Sequence, residues 1–349
     1  MHPFFEQWPG FLCEIGIHAL GVIPAWPLLT YPAYEQIIQR GVPANLQYLV
    51  RNASCRKDFE SILPGAKSVI SCAIAMPEIP ENSPCKFARF CALGDYHQLL
   101  RQKLTLVDER LRQHYDIGKS RICVDTAPIL EREIAVRSGI GTIGFNHLVI
   151  HPQYGSFISI GELILDKDIC EDADFLSFNT HNQPVEALTP GSLHCCPAGK
   201  RICVQSCPTG ALSESGYDFN RCLSYWTTSH KGEIPEIYEH AMGDMIWGCD
   251  RCQTQCPRQN PNHLPKIESP LYHLTLKDIL TSSGNGLKKR CAGSPLADAH
   301  PFMLQRNACI VIKNTYQTQY LPLLEQMVQT HACDWVRSTA ARVIESFSK

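Results

Sequence analysis

Two cysteine segments carry the strongest chemical signal in the chain. One reads Cys203-Val-Gln-Ser-Cys207-Pro208, the other Cys249-Asp-Arg-Cys252-Gln-Thr-Gln-Cys256-Pro257. The bacterial ferredoxin run is C-x2-C-x2-C-x3-C-P, and its last cysteine ligates the other cluster of a pair. Here C-x3-C-P occurs twice, and the second copy keeps C-x2-C before it. Short spacings let consecutive thiolates wrap one cubane, and the proline turns the chain away. Eight cysteines lie in this block: Cys195, Cys196, Cys203, Cys207, Cys222, Cys249, Cys252 and Cys256. That is the number two [4Fe–4S] clusters need at four thiolates each. A C-x2-C pair also serves zinc ribbons, but zinc does not account for two C-x3-C-P units. Crossed wiring assigns Cys203, Cys256 and Cys195/Cys196 to one cluster, and Cys207, Cys222, Cys249 and Cys252 to the other. The first half departs from the standard run. Pro197 and Lys200 stand where cysteines are expected, and six residues separate the adjacent pair Cys195–Cys196 from Cys203. Adjacent side chains rarely reach one metal site. Either both bind across an inserted loop, or one is a bystander and Cys170 or His194 completes the set.

A second candidate is Asp125, where a strand ends and a helix is expected to begin. In α/β folds such crevices hold ligands. Capping a helix at Asp125 or Thr126, with Pro128 in its first turn, is an equally good reading. Gly139-Ile-Gly141-Thr-Ile-Gly144 fits the dinucleotide pattern G-x-G-x-x-G. That pattern requires a strand before it and a helix after it, and the order here is reversed. A helix C-cap and tight turn at Gly139 fits better, and close backbone approach to another large cofactor is a third reading.

These groups need elements to hold them. Ser68–Met76 is apolar and β-branched, a buried strand. Tyr96–His114 repeats Leu99, Leu100, Leu104, Val107 and Leu111 at helical spacing. Arg121–Val124 reads as a short strand. His147–His151 and Phe157–Leu165 read as two strands joined by the turn 152–155. Asp172–Leu193 is polar and reads as a connecting loop. Phe302–Tyr316, Tyr320–His331 and Trp335–Phe347 are amphipathic helices of an α-solenoid kind. Three zones result: 1–185, 186–264 and 265–349.

Composition bounds the class. The chain has 349 residues, with 34 acidic against 32 basic side chains, a formal charge of −2. This excludes a strongly basic nucleic-acid binder and leaves the run Lys288-Lys289-Arg290 as a local candidate for phosphate contacts. Of the 18 cysteines, ten are scattered singly and read as small apolar core residues. The opening stretch 1–10 lacks a basic segment, and the apolar run Phe11–Leu29 is broken by Glu14, His18, Pro24 and Pro27. Neither a secretory signal nor a membrane span is expected, which places the thiols in a reducing, cytoplasmic setting.

Several motifs together resemble the epoxyqueuosine reductase family of tRNA queuosine synthesis. They are Leu63–Ile70 (LPGAKSVI), Gly94–His97 (GDYH), Val124–Glu131 (VDTAPILE), Gly139–Asn146 (GIGTIGFN), Tyr154–Ser156 with Gly161-Glu162, Arg221–Tyr225 (RCLSY), Trp247–Cys252 (WGCDRC) and Arg306–Ala308. The resemblance implies an α/β, nitroreductase-like cobalamin-binding domain, a ferredoxin-like double [4Fe–4S] domain and an α-helical HEAT-like tail. It implies that the clusters feed a base-off cobalamin, which removes the epoxide oxygen at the wobble base of a tRNA anticodon stem-loop. Asp125 becomes the catalytic acid, and its pKa is expected to be raised by burial beside a neutral cofactor. Gly141, Gly144, Asn146, Tyr154, Ser156, Ser224 and Tyr225 become cofactor-binding residues. Reduced ferredoxin or flavodoxin is the expected donor, with a monomeric protein and no membrane. Three other readings remain: a corrinoid reductase of the dehalogenase type acting on a small organic substrate, an iron–sulfur electron-transfer protein without catalysis, and a zinc scaffold.

Overall fold

The computed structural model describes residues 2–179, 196, 201–214, 216–260 and 264–348. It divides into two compact units, each assembled from separate stretches of chain. Unit 1 comprises Met1–Met76, Tyr96–Arg201 and Cys256–Leu264, and unit 2 comprises Pro77–Asp95, Ile202–Gln255 and Pro265–Lys349.

Unit 1 is a mixed α/β layer structure. Its sheet has strands β1 (Ala19–Pro24), β2 (Ser68–Ala75), β3 (Ser120–Cys123), β4 (Ile158–Leu165) and β5 (Phe178–Asn179) in the order β3-β4-β2-β1-β5. Every pairing is antiparallel. All eight residues of β2 are buried, as a central strand covered on both faces requires. The helix Tyr96–Leu111 buries Leu100, Leu104, Val107 and Leu111. A Cβ on Gly161 of β4 would stand 3.2 Å from Leu104 Cδ1, so this helix covers the Gly161 face. The helix Glu131–Arg137 covers the opposite face, where Ile134 packs with Val69, Cys123 and Ile164. Side chains alternate along a strand, so Glu162 points to the same side as Ile164, toward this second helix.

Three expectations change. No helix starts at Asp125: the residues after β3 form an irregular loop, and Leu130 stands at the N-cap of Glu131–Arg137. Neither Asp125 nor Thr126 is therefore a cap. The strand Val149–Ile150 pairs with Thr142–Ile143 rather than with β4, leaving only a bridge between His151 and Gly155 in the expected turn. Within the stretch expected as a loop, Ala173–Leu176 is helical and Phe178–Asn179 adds the edge strand β5 to β1.

Unit 2 centres on the helix Pro301–Asn314, in which every residue from Met303 to Ile312 is buried. Helices Leu321–Thr330 and Asp334–Phe347 follow, at the expected positions. Arg306 is fully buried on the central helix and donates to the carbonyls of Trp226, His230 and Gly232 and to Asn307 Oδ1, at 2.7–2.9 Å. Asn307 donates in turn to Thr227 O and Ile246 O, so this pair ties the helix to the segments carrying Cys222 and Cys249. The basic run 288–290 closes the helix Gly284–Arg290, with Arg290 paired to Asp278 at 3.1 Å. Among the described residues no helix is long and apolar enough to cross a membrane.

Candidate active site

Asp125 follows β3 directly and is held in a left-handed backbone conformation, φ +54°. Outside glycine this geometry is uncommon, though aspartate tolerates it better than most residues. Two side chains secure it. Glu131 Oε1 accepts the Asp125 N–H at 2.8 Å, and Tyr96 donates its phenol hydrogen to Asp125 Oδ2. His97 Nε2 lies 3.5 Å from the same oxygen, its ring stacked on Tyr96 with centroids 4.1 Å apart. The carboxylate side chain is nevertheless 45% exposed, so it is presented outward by a fixed frame.

The next side chain along the helix does the same for a second strained residue. Arg132 donates to the carbonyl of His147, whose φ is +60°. Successive residues of one helical turn thus pin both left-handed positions, Asp125 and His147. Backbone strain of this kind persists only where surrounding contacts over-determine it, and it gathers at functional sites.

The electrostatics reverse one expectation. The Asp125 carboxyl lies below its ordinary value, not above it: burial works upward, but hydrogen bonds from His97 and Tyr96 to the ionised form outweigh it. The raised group is Glu131, pushed up to about 8 by burial and by the charge of Asp125. Behind it Glu162 is fully buried and raised far above a normal glutamate, first by desolvation and then by Glu131. Glu162 Oε1 accepts from Ser71 Oγ at 3.2 Å, while its Oε2 is buried without a hydrogen-bond partner. The column thus runs from a surface carboxyl whose ionised form is favoured by hydrogen bonds to two carboxyls whose protonated forms are favoured by burial. The sequence by itself singles out none of Tyr96, His97, Glu131 and Glu162 as members of the acid site. The available signal was their position in the GDYH, VDTAPILE and GE motifs.

The expected cofactor-binding residues fall in both units. In unit 1, Gly139 (φ +80°) ends the helix Glu131–Arg137, as the capping reading expects. Gly141 and Gly144 are explained by crowding: a Cβ at either would come within 2.5 Å of Ile150, in the partner strand of the hairpin. Asn146, Tyr154 and Ser156 are buried, with Ser156 Oγ accepting from Gln259 Nε2 at 2.6 Å. The hairpin also carries Thr142, Ile143 and Phe145, all half-buried and uncharged. In unit 2, Ser224 and the half-buried Tyr225 lie on the helix Leu223–Thr228, directly after Cys222.

In unit 2, Cys207, Cys222, Cys249 and Cys252 sense one another. Burial raises the Cys252 thiol, and the charges of Cys249, Cys222, Asp250 and Cys207 raise it further. Cys249 is pushed up to about 11, by burial first, with Cys222 adding to it. Cys207 behaves oppositely. Burial disfavours its thiolate, but hydrogen bonds from the backbone of Leu212, Thr209 and Ala211 and from the Thr209 hydroxyl prevail and lower its pKa. Like-charge repulsion among four soft donors, one already lined with N–H groups, fits a cationic iron core that relieves it. Among the described residues no three His, Cys, Asp or Glu side chains gather tightly enough to hold a single metal ion. Cys203 is buried in unit 2, whereas Cys196 and Cys256 belong to unit 1, with Cys196 Sγ 3.5 Å from the Phe145 N–H. Cys195 and His194 lie outside the described residues.

Comparison with known proteins gives the family. Residues 56–126 match the family model described as epoxyqueuosine reductase QueG, DUF1730, and residues 195–259 match a 4Fe-4S double cluster binding domain. The epoxyqueuosine reductase of Salmonella typhimurium is 31% identical over 97% of this chain and 90% of its own length. That of Escherichia coli is 30% identical over 88% of this chain and 80% of its own. A crystal structure of epoxyqueuosine reductase with a tRNA-Tyr epoxyqueuosine-modified stem loop superposes with a TM-score of 0.80 at 25% identity, covering 99% of this chain and 90% of that one. The Bacillus subtilis enzyme, with its catalytic loop swung out of the active site, gives a TM-score of 0.80 at 25% identity over 98% of this chain and 89% of that one. With sheet, acid and cysteine block in place, the chain belongs to the epoxyqueuosine reductase family.

Proposed function

We propose that this protein removes the epoxide oxygen from epoxyqueuosine at the wobble position of a tRNA anticodon stem-loop. Two electrons and two protons convert the epoxide to an alkene and water. The observation that carries the reading is the exposed, strained Asp125 held by Tyr96, His97 and Glu131, within a chain of this family. We assign one [4Fe–4S] cluster to Cys207, Cys222, Cys249 and Cys252. The other falls to Cys203, Cys256 and the Cys195/Cys196 pair.

A cobalamin held in unit 1 would supply the reducing equivalents, which the clusters would pass to it. The hairpin 142–150, free of Asp, Glu, Lys and Arg and tied by Arg132 to the helix that follows Asp125, suits a large amide-edged macrocycle. Gly141, Gly144, Asn146, Tyr154, Ser156, Ser224 and Tyr225 are its proposed surroundings, the buried members shaping the seat. We read residues 1–185 as a nitroreductase-like cobalamin domain, 186–264 as ferredoxin-like and 265–349 as HEAT-like, in a monomeric cytoplasmic protein served by reduced ferredoxin or flavodoxin.

Asp125, ionised at rest, relays a proton from Glu131 to the departing oxygen. Its pKa is held low, so the resident proton of the pair sits on Glu131, which is hydrogen-bonded to it. Glu131 therefore reprotonates Asp125 from within, and Tyr96 and His97 orient the acid and stabilise its ionised form. The test is anaerobic reconstitution with iron, sulfide and cobalamin, followed by mass spectrometry of tRNA carrying epoxyqueuosine. The expected product lacks one oxygen atom; an unchanged base with the cofactors loaded would refute the reading.

A further inference from the structure

A cleft of about 440 Å³ opens beside Asp125, lined by Arg101, Ser120, Arg121, Ile122, Thr126 and Ala127. Its cations come from separate elements. Arg101 projects from the helix Tyr96–Leu111 and Arg121 from the edge strand β3, and both are exposed. Among the described residues neither has a carboxylate within salt-bridge distance. The nearby Asp108 is already paired with Arg112 at 3.0 Å and accepts from Ser120 Oγ at 2.9 Å. Arg101 Nη2 donates to Thr126 Oγ1 at 3.0 Å, so the threonine spends a lone pair there and keeps its own hydrogen for an acceptor. Two guanidinium forks and a hydroxyl donor, with no acid among the lining residues, make an anion site, and planar forks are suited to phosphate oxygens.

We propose that this cleft is a phosphodiester subsite, holding the backbone next to the base presented to Asp125. The inference rests on the functional reading above and deepens it. Thr126 and Ala127 adjoin Asp125 in the chain, so a phosphate seated on them is one residue from the acid. That arrangement positions a nucleotide by its backbone while leaving the base edge for chemistry. It also supplies, locally, the positive charge that a chain with a formal charge of −2 lacks overall. Two ligands of the reaction carry a phosphodiester: the tRNA strand and the nucleotide tail of cobalamin.

The test uses the reconstituted full chain with Arg101→Gln and Arg121→Gln, singly and together, and with Arg121→Lys. One arm measures affinity for the epoxyqueuosine anticodon stem-loop as a function of salt. The other measures cobalamin affinity by absorbance. Both arginines are exposed, so folding is expected to survive. If the tRNA backbone is the occupant, the double variant binds the stem-loop about tenfold more weakly. The slope of log K against log salt then falls by about 0.7 for the lost single-strand phosphate. Arg121→Lys retains part of the affinity, and cobalamin binding is unchanged. If the cofactor's phosphate is the occupant, the cobalamin arm shows the loss instead. Wild-type and variant proteins that bind both ligands equally well overturn the subsite while leaving the function standing. A reconstituted wild type that binds neither ligand overturns the functional reading and this subsite with it.

Discussion

The proton on Glu131 can be tested by removing its ability to ionise. In Glu131→Gln the side chain keeps its shape, and its amide oxygen still accepts the Asp125 N–H, which the wild type does at 2.8 Å. The native carboxyl is raised from 4.5 to about 8, so between those values the folded state holds a proton that the unfolded chain releases. Stability relative to the variant is therefore greatest at low pH and is lost as pH rises through this window, by about 1.4 kcal/mol per pH unit. Between about pH 5.5 and about pH 7.5 the difference amounts to at most about 2.7 kcal/mol in favour of the variant. Asp125 does not disturb the comparison, because its lowered pKa confines its own contribution to more acidic solution. His18, depressed by burial and then by Lys103 to about 4, titrates in the folded state of both proteins alike. Anaerobic urea unfolding of the two proteins across this range measures the difference directly. Parallel stability curves would show that Glu131 is ionised in the native protein and would sink the proton-reserve argument.

Further outcomes follow from the same geometry. Asp125→Ala is expected to retain iron and corrin while turnover falls by about 10²–10⁴-fold, the usual worth of a positioned acid; normal activity in anaerobic assay removes Asp125 from the mechanism. Cys249→Ser or Cys252→Ser should cost about half the iron, because each cluster needs its own four thiolates; undiminished iron by elemental analysis contradicts the assigned wiring. Arg306→Met leaves the carbonyls of Trp226, His230 and Gly232 without their donor and should destabilise unit 2 by about 3 kcal/mol, read by denaturant unfolding, with Arg306→Lys losing less.

Much of the fold was legible because its signals are local. The helix at Tyr96 and the three C-terminal helices follow from apolar spacing, and β2 from a run of buried β-branched residues. The hairpin partner of Val149–Ile150 was misassigned because two short apolar runs on either side of a turn satisfy the same alternation, and only packing chooses between them. The helix expected at Asp125 failed for a related reason. Asp125, Thr126 and Pro128 favour an N-cap, yet here Glu131 captures the Asp125 N–H and the residue takes a left-handed conformation (φ +54°) rather than the extended one typical of an N-cap.

What the sequence determined by itself was the inventory and its chemistry: eight clustered cysteines, two C-x3-C-P turns and one acid at a strand end. Spacing along a chain limits which thiolates can wrap a cubane, so cluster stoichiometry is a local property. Tertiary structure decided where the protons and charges sit. Tyr96 and Asp125 are 29 positions apart and meet only because the helix following Asp95 packs on the sheet that ends in β3. Glu131 and Glu162 are ordinary acids until a central strand and its covering helix remove them from water. Desolvation acts on the folded arrangement: the family resemblance implied a raised pKa at Asp125, and the fold places the raised carboxyls one layer deeper, at Glu131 and Glu162.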